Sequence, residues 1–199
     1  MSKITKLFNN NLHAFIALPL LVANLPISFM GYSLDLSSVT EAMNITINVE
    51  QAQEDLLLEE LQEQANNIDA YFGKWNLPLT GYGMVFAKTA QKYDLDPYLL
   101  PAIAMRESTG GKFICGGQNP FGYGSCKIYF DSFEKAIDTV GKAVSGEHEG
   151  IGYAYEGKDI RGILETYNPP SIVATYADEV MSIMKKISNM DSSKHLASL

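Results

Sequence analysis

The stretch AMRESTGGKFICGGQNPFGYGSC, residues 104–126, decides the fold because it holds the end of one helix and the long loop after it. Apolar residues lead up to Glu107, and Gly110-Gly111 stop the helix directly after it. The loop that follows is rich in glycine and carries two cysteines on either side of the aromatic sequence NPFGYG. This pattern is typical either of the irregular rim of a core or of the floor of a binding site.

The chemistry of a site here would centre on Glu107. A carboxyl group that is partly removed from water holds a proton more readily, and such a group can protonate a leaving oxygen. The glycines after it let a substrate approach the backbone, and the aromatic loop offers flat surfaces for sugar rings. The plainer interpretation is a solvated glutamate or an ion-pair partner of a residue such as Arg106.

The charge of the chain is distributed unevenly along its 199 residues. The net charge is −8, and residues 31–73 hold nine acidic residues and no Lys or Arg. From Lys74 onward, 13 basic residues meet 14 acidic ones, so this part is nearly neutral. Nucleic-acid binding requires a basic surface that neutralises phosphates, and the composition argues against it.

The N-terminus has the pattern of a membrane segment. Lys3 and Lys6 precede residues 12–30, a run of 19 residues without Asp, Glu, Lys or Arg. That length nearly matches the roughly 20 residues needed to cross a bilayer. We expect residues 1–30 to be a signal anchor or a cleaved signal peptide, with a buried core helix as the third interpretation. The lysines before the segment and the acidic residues after it predict that the rest of the chain lies outside the cytoplasm.

The two cysteines suit an oxidising compartment. Cys115 and Cys126 are predicted to form a disulfide that closes a small loop, while two reduced cysteines that never meet are the alternative. A zinc site would need more ligands close by, and the three histidines, His13, His148 and His195, lie far apart in the sequence. We therefore expect no metal and no other cofactor.

The chain before the main domain divides into two further segments. Residues 31–49, polar and β-branched, are interpreted as a stalk. Residues 50–73 are predicted to form an acidic amphipathic helix, with an apolar seam at Leu58, Leu61, Ala65, Ile68 and Phe72. The seam of residues 50–72 either packs against the domain or mediates self-association.

Residues 78–189 are predicted to form a compact, mainly helical domain with a small β element, followed by a tail at residues 190–199. Helix starts are expected at Thr80, Asp96-Pro97, Asp131, Asp159 and Ser171, with Pro101 producing a kink or a short initial turn. One short strand or hairpin is expected around GSCKIYF, residues 124–130.

Three blocks carry a family resemblance: LLPAIAMRESTGGKF, NPFGYGSCKIYFDSFEKAI and ILETYNPPSIVATYADEVMSIM. They lie in order within roughly residues 78–188, and this part of the chain resembles the glucosaminidase-type branch of the lysozyme superfamily. That branch comprises bacterial peptidoglycan N-acetylglucosaminidases and their lytic-transglycosylase relatives. The resemblance implies a lysozyme-like helical domain that cleaves the glycan strands of peptidoglycan, with peptidoglycan or another N-acetylglucosamine-containing glycan as partner.

The resemblance also implies roles for individual residues. Glu107 matches the general acid, and Tyr167 matches a tyrosine that faces the acid and stabilises the transition state or orients the substrate. The alternative for Tyr167 is a core aromatic residue at helical spacing. The positions that match substrate-binding residues are Ser108, Asn119, Phe121, Gly122, Tyr123 and Asn168. Ser108 has an equally plain alternative as the cap of its helix.

A second carboxylate is the point that the sequence leaves open. Glycosidases commonly pair two carboxyl groups, and the glycine-rich segment 145–157 offers Glu147, Glu149 and Glu156. A charged surface loop is the alternative interpretation of these residues. Without a second acid, the substrate's own acetamido group acts as nucleophile, or its 6-hydroxyl closes a 1,6-anhydro ring as in a lytic transglycosylase.

Two rival functions remain to be weighed. A peptidoglycan amidase or peptidase would need a Cys-His pair or a zinc cluster, and the surroundings of the cysteines resemble neither. A non-catalytic sugar-binding or scaffold domain of the same fold is the stronger rival, since fold alone does not imply activity. The Glu107-Ser108 pair favours an enzyme, because binding alone does not require a proton donor.

Overall fold

The computed structural model describes residues 36–190, except for the side chains of residues 36–40 and 42. The predicted membrane segment at residues 12–30 and the tail from residue 191 onward lie outside these residues. The chain divides into two compact units, Met1–Ala52 and Gln53–Leu199. Among the described residues, no helix has the length and apolar character that crossing a membrane requires.

The described part of the chain is mainly helical, as the sequence predicts. The helices are α1 (Leu36–Gly73), α2 (Gly83–Lys92), α3 (Leu99–Ser108), α4 (Phe133–Val144), α5 (Ile160–Tyr167) and α6 (Tyr176–Ser188), with one 3₁₀ turn at Gly152–Ala154.

The predicted small β element does not form as a strand or hairpin. Within residues 36–190, the only β pairings outside the helices are two isolated bridges, Cys115 with Asn119 and Gly117 with Phe130. The reason lies in the backbone, because Ser125 and Cys126 have φ values of 53° and 61°, in the left-handed region. A strand needs an extended backbone, and two successive left-handed residues interrupt it.

Helix α1 begins earlier than the sequence predicts, at Leu36, so most of the expected stalk at residues 31–49 is helical. β-branched residues lower helix propensity only slightly, and no Pro or Gly interrupts residues 36–72. The apolar seam packs against the domain from Leu61 onward, where Leu61, Ile68 and Phe72 are buried. Leu58 is 57% exposed, so the seam is open at that end.

Helix α3 forms the centre of the core. Its residues from Leu99 to Ala104 are all buried, and α6, α2 and α4 pack around it. A helix that is apolar on every side is expected at such a position. Pro101 lies in the first turn, where the missing N–H has no intrahelical acceptor, and the helix continues through it.

Several predicted helix starts are wrong by a few residues. α3 begins at Leu99 rather than Pro97, and Asp96 Oδ1 accepts the N–H of Tyr98 at 2.8 Å before it. α4 is capped by Ser132, which accepts the N–H of Lys135, and not by Asp131. Each of these two helices begins one or two residues after its predicted start, which is the usual uncertainty of a helix boundary.

The N-terminus of α2 is capped from another helix. Asp69 of α1 accepts the N–H groups of Gly81 and Gly83 at 2.8 and 2.9 Å. Thr80, the predicted cap, instead donates to the carbonyl of Leu77 at 2.7 Å. A local pattern cannot reveal a cap that comes from a distant part of the chain.

The last two helices give one confirmed start and one wrong one. Asp159 caps α5 as predicted and accepts the N–H of Gly162. α6 begins at Tyr176 rather than near Ser171, and Ile172, predicted to lie on its apolar face, is 73% exposed. Residues 169–175 therefore form a connection between the two helices, and this places Tyr176 at the first turn of α6.

Candidate functional site

The side chain of Glu107 lies in the last turn of α3, at the edge of the core. The helix ends one residue later because Thr109 takes the left-handed conformation with φ 54°. The Glu107 side chain is exposed, so the expectation that it is held out of water is wrong for the free protein. Arg106, the suggested ion-pair partner, pairs instead with Glu179 at 2.5 Å.

The partner of Glu107 is Tyr176, whose hydroxyl donates to Glu107 Oε1 at 2.6 Å. Tyr176 comes from the first turn of α6, and only 1% of its surface is exposed. Burial and the hydrogen bond to Glu107 both raise the pKa of Tyr176, so its hydroxyl stays protonated and remains a donor. The hydrogen bond restrains the carboxylate in one orientation.

Sequence reasoning missed Tyr176, which it assigned to the apolar face of the last helix. That assignment is correct for the ring but not for the hydroxyl. The available signal was a buried tyrosine on an otherwise aliphatic face, since a buried tyrosine hydroxyl usually has a hydrogen-bond partner.

Tyr167 stacks on Tyr176, with ring centroids 6.3 Å apart and planes 10° apart. Its hydroxyl donates to the carbonyl of Phe121 at 2.7 Å and not to Glu107. Burial, followed by the nearby charge of Glu107, raises the pKa of Tyr167 well above its usual value. The predicted tyrosine therefore lies near the acid, and it joins the end of α5 to the aromatic loop.

Two of the predicted binding residues hold the aromatic loop together from inside. Asn119 is 1% exposed, and its side chain accepts the N–H groups of Phe121 and Tyr123. It also donates to the carbonyls of Tyr123 and Ile128. Phe121 is buried in the core. In this arrangement Asn119 and Phe121 shape the loop and do not present free groups to a ligand.

Gly122 lies directly beside the carboxylate. Its φ is +61°, a conformation that glycine adopts without strain. A Cβ atom at this position would lie 3.6 Å from Glu107 Oε2. A side chain here would therefore occupy the space next to that oxygen, and glycine leaves it open.

Ser108 caps the end of its helix, which is the alternative to substrate binding that the sequence left open. It is 2% exposed, its hydroxyl donates to the carbonyl of Ala104, and it accepts the N–H of Gly111 at 2.9 Å. These bonds end α3 and start the turn that leads into the loop.

The predicted disulfide between Cys115 and Cys126 is confirmed, with the two Cα atoms 5.4 Å apart. It closes the loop that contains Asn119, Phe121, Gly122 and Tyr123. The loop is thus fixed at its base by a covalent bond and at its centre by the side chain of Asn119.

The segment 145–157 contributes a tyrosine to the site. Tyr155 packs partly buried against the core, and burial together with the neighbouring Tyr123 raises its pKa. Tyr155 and Tyr123 in turn act on the pKa of Tyr167, so these phenols lie close together. Glu147, Glu149 and Glu156 are exposed in the same segment. The carboxylate that acts on the pKa of both Tyr167 and Tyr176 is Glu107.

Asn168 ends α5 directly after Tyr167. Its side-chain oxygen is buried and accepts no hydrogen bond within the described residues. A buried polar atom without a partner is uncommon in folded proteins and is often found at functional sites.

A separate cavity of about 530 Å³ lies at the opposite ends of α3 and α5. Its lining includes Asp94, Asp96, Leu99, Asp159 and Arg161. Within residues 36–190, no group of three or more His, Cys, Asp or Glu side chains is arranged to hold a metal ion.

The fold and the site together define a mainly helical domain in which the exposed carboxylate of Glu107 is held by a buried tyrosine beside a disulfide-closed glycine loop. No protein-family model, curated protein or solved structure matches the chain. The functional assignment therefore depends on the residues themselves.

Proposed function

We propose that the chain is an exported peptidoglycan glycan-strand cleaving enzyme, a β-N-acetylglucosaminidase, with Glu107 as its general acid. The observation that carries the proposal is the hydrogen bond from Tyr176 to Glu107 Oε1, which leaves Oε2 facing the space beside Gly122. The resemblance of the three sequence blocks to glucosaminidase-type domains supports the choice of substrate.

In the proposed reaction, Glu107 Oε2 carries the proton and gives it to the glycosidic oxygen as the C1–O bond breaks and the substrate's acetamido oxygen bonds to C1. A water molecule then attacks C1, the bond to the acetamido oxygen breaks, and the proton of the water returns to Glu107. Tyr176 holds the carboxyl group so that Oε2 points toward the substrate. The exposed position of Glu107 in the free protein fits an acid whose surroundings become dry only when a glycan covers it, since a bound sugar displaces the water.

A second candidate is a lytic transglycosylase of the same fold. Glu107 is the carboxylate that acts on the pKa of the two stacked tyrosines, and a route without a second acid suits such a site. In that route the sugar's 6-hydroxyl attacks C1 as the C1–O bond breaks, and it returns its proton to the Glu107 carboxylate. The product is a 1,6-anhydro sugar, which has one water less than the hydrolysis product.

The test compares the parent with Glu107→Gln on purified peptidoglycan. General acid catalysis contributes about 10²–10⁴-fold, so clearing of cell walls should slow by that factor while the variant still sediments with the walls. Glu134→Gln, the same change at an exposed site in the first turn of α4, is the matched control and should clear walls like the parent. Clearing by Glu107→Gln at the parental rate would refute the proposal.

The parent enzyme distinguishes the remaining alternatives. Mass analysis of the released fragments separates reducing ends from anhydro ends, and so separates hydrolase from transglycosylase. A parent that binds walls but releases no fragments would identify a non-catalytic sugar-binding or scaffold domain. The predicted membrane attachment through residues 12–30 and self-association through residues 50–72 remain predictions.

A further inference from the structure

A group of exposed apolar and basic side chains surrounds the disulfide. We name this group the disulfide rim: Lys112, Phe113, Ile114, Lys127, Ile128 and Tyr129. Phe113 and Tyr129 are 68% and 72% exposed, and Ile114 and Ile128 are 42% and 40% exposed. Single exposed apolar residues are ordinary, but a contiguous group of them marks a binding surface.

The two halves of the disulfide rim lie side by side. Each half adjoins one cysteine of the disulfide, Cys115 or Cys126. Beyond the cysteines, the N–H of Phe130 donates to the carbonyl of Gly116 at 3.0 Å, and the N–H of Gln118 donates to the carbonyl of Phe130 at 2.9 Å. The covalent bond and these hydrogen bonds hold the backbones of the two segments next to each other.

Tyr129 is the most exposed aromatic side chain of the rim, and its ring lies against the backbone of Gly117. A Cβ atom on Gly117 would come within 2.8 Å of the Tyr129 ring and within 2.5 Å of the carbonyl oxygen of Phe130. The backbone contact and a φ of +68° both favour glycine here, and the ring lies close to its Cα atom. The ring is thus supported from below by the backbone and open to solvent above. A flat aromatic ring that is open on one face suits stacking of a sugar, whose C–H groups meet the negative face of the ring.

The charge around the rim is opposite to that of the whole chain. The rim itself contains Lys112 and Lys127 and no Asp or Glu, while the chain carries a net charge of −8; along the chain, Glu107 and Asp131 are the nearest acidic residues on either side. Such a local positive region attracts an anionic polymer. Peptidoglycan is one, because its stem peptides carry carboxylates.

The rim adjoins, along the chain, the disulfide-closed loop of the candidate site. Gly122, beside Glu107, belongs to the loop that the disulfide closes. The ring of Tyr123 lies 6.4 Å from the ring of Phe130, the residue after Tyr129. The rim therefore flanks the loop that carries Gly122, and a glycan strand that follows this loop would reach both.

We propose that the disulfide rim is a second binding surface for the glycan strand, beyond the bond that is cleaved. A sugar ring stacks on Tyr129, acetamido methyl groups contact Ile114 and Ile128, and the two lysines attract stem-peptide carboxylates. A membrane surface is the other class of partner for a basic apolar patch. The position of the Tyr129 ring against Gly117, rather than projecting outward, favours the glycan. This inference rests on the proposed function.

The test measures binding of the uncleaving Glu107→Gln protein to purified peptidoglycan, with and without Tyr129→Ala. Loss of one aromatic contact should weaken binding by about 2- to 10-fold. Tyr129→Trp, which keeps a stacking ring, should restore it. Tyr153→Ala is the matched control, because Tyr153 is 80% exposed but lies outside the rim, and it should bind like the parent.

Two outcomes would overturn the inference. One is equal binding to peptidoglycan with and without Tyr129→Ala. The other is binding of the protein to phosphatidylglycerol vesicles that Tyr129→Ala abolishes while peptidoglycan binding stays unchanged. Neither outcome affects the proposed function, which depends on whether Glu107→Gln stops cleavage.

Discussion

Helices α3 and α5 differ sharply between their two ends. The C-terminal ends carry the exposed carboxylate of Glu107 and the buried, unpaired side-chain oxygen of Asn168. Tyr167 joins this end of α5 to the irregular loop at Phe121. At their N-terminal ends, carboxylates satisfy backbone N–H groups, as Asp96 does for Tyr98 and Asp159 does for Gly162. At the N-terminal ends, backbone N–H groups are satisfied within the protein. The C-terminal ends have an exposed carboxylate and a side-chain oxygen without a hydrogen-bond partner. Unsatisfied groups cost stability and are therefore expected where a ligand supplies the partner.

The largest expected effect is at the C-terminal end, where the double variant Cys115→Ser, Cys126→Ser removes the disulfide. Folding stability should fall by about 2–4 kcal/mol, because the unfolded chain gains freedom. Wall clearing should also slow, since the loop that places Gly122 beside Glu107 is no longer fixed at its base. Urea unfolding and a clearing assay measure both. Dithiothreitol should lower the free energy of unfolding of the parent and leave that of the double variant unchanged. Equal stability of the oxidised parent and the variant would contradict the prediction.

Tyr176→Phe should have the next largest effect, and on activity more than on stability. The variant keeps the buried ring and loses the hydrogen bond to Glu107, and such a bond to a charged group contributes about 1.5–3 kcal/mol. We expect kcat for released fragments to fall by about 10- to 100-fold, with a smaller change in KM. Steady-state kinetics on soluble peptidoglycan fragments measure the two constants. A parental kcat would show that Tyr176 does not position the acid.

At the N-terminal end, Asp159→Ala should cost stability and leave catalysis intact. Loss of an N-cap costs about 1 kcal/mol, seen as a lower urea midpoint. Asp159→Asn retains an acceptor for the N–H of Gly162 and should unfold close to the parent. Slower wall clearing by folded Asp159→Ala would contradict this prediction, because it would mean that the N-terminal end of α5 affects catalysis at the C-terminal end.

Asp96→Asn should have the smallest effect and one that depends on pH. Burial raises the pKa of Asp96 above its usual value, so the folded protein binds this proton more tightly than the unfolded chain. Stability from this group therefore falls as the pH rises from the unfolded pKa, about 4, through the folded one. Asparagine cannot ionise, so the variant should gain stability relative to the parent across that window. Denaturation midpoints over the acidic range test this; a constant difference at all pH values would contradict it.

The sequence predicted the parts of the fold that depend on neighbours along the chain. The helical pattern, the stop after Glu107, the cap at Asp159 and the disulfide all follow from local spacing or from a pair of residues with one available partner. The early start of α1 and the absent strand show the limit. The helical conformation of residues 36–49 and the left-handed conformation of Ser125 and Cys126 are only weakly favoured by the amino-acid composition of those segments.

The sequence predicted the position of the acid and of the glycine loop, but it did not predict the hydrogen bonds that their side chains make. Glu107, Gly122 and Tyr167 do lie close together. Asn119 was expected to meet the substrate and instead bonds within its own loop. The sequence placed Tyr176 in the core and gave no sign of its bond to Glu107.

The sequence by itself determined that the domain is mainly helical, where a carboxylate meets a glycine loop and which two cysteines pair. Only the tertiary structure decided that Tyr176 holds Glu107, across 69 positions in the chain, and that Asp69 caps a different helix. The physical reason is range: helix periodicity and turn chemistry act over a few residues, whereas a side-chain hydrogen bond depends on how whole helices pack.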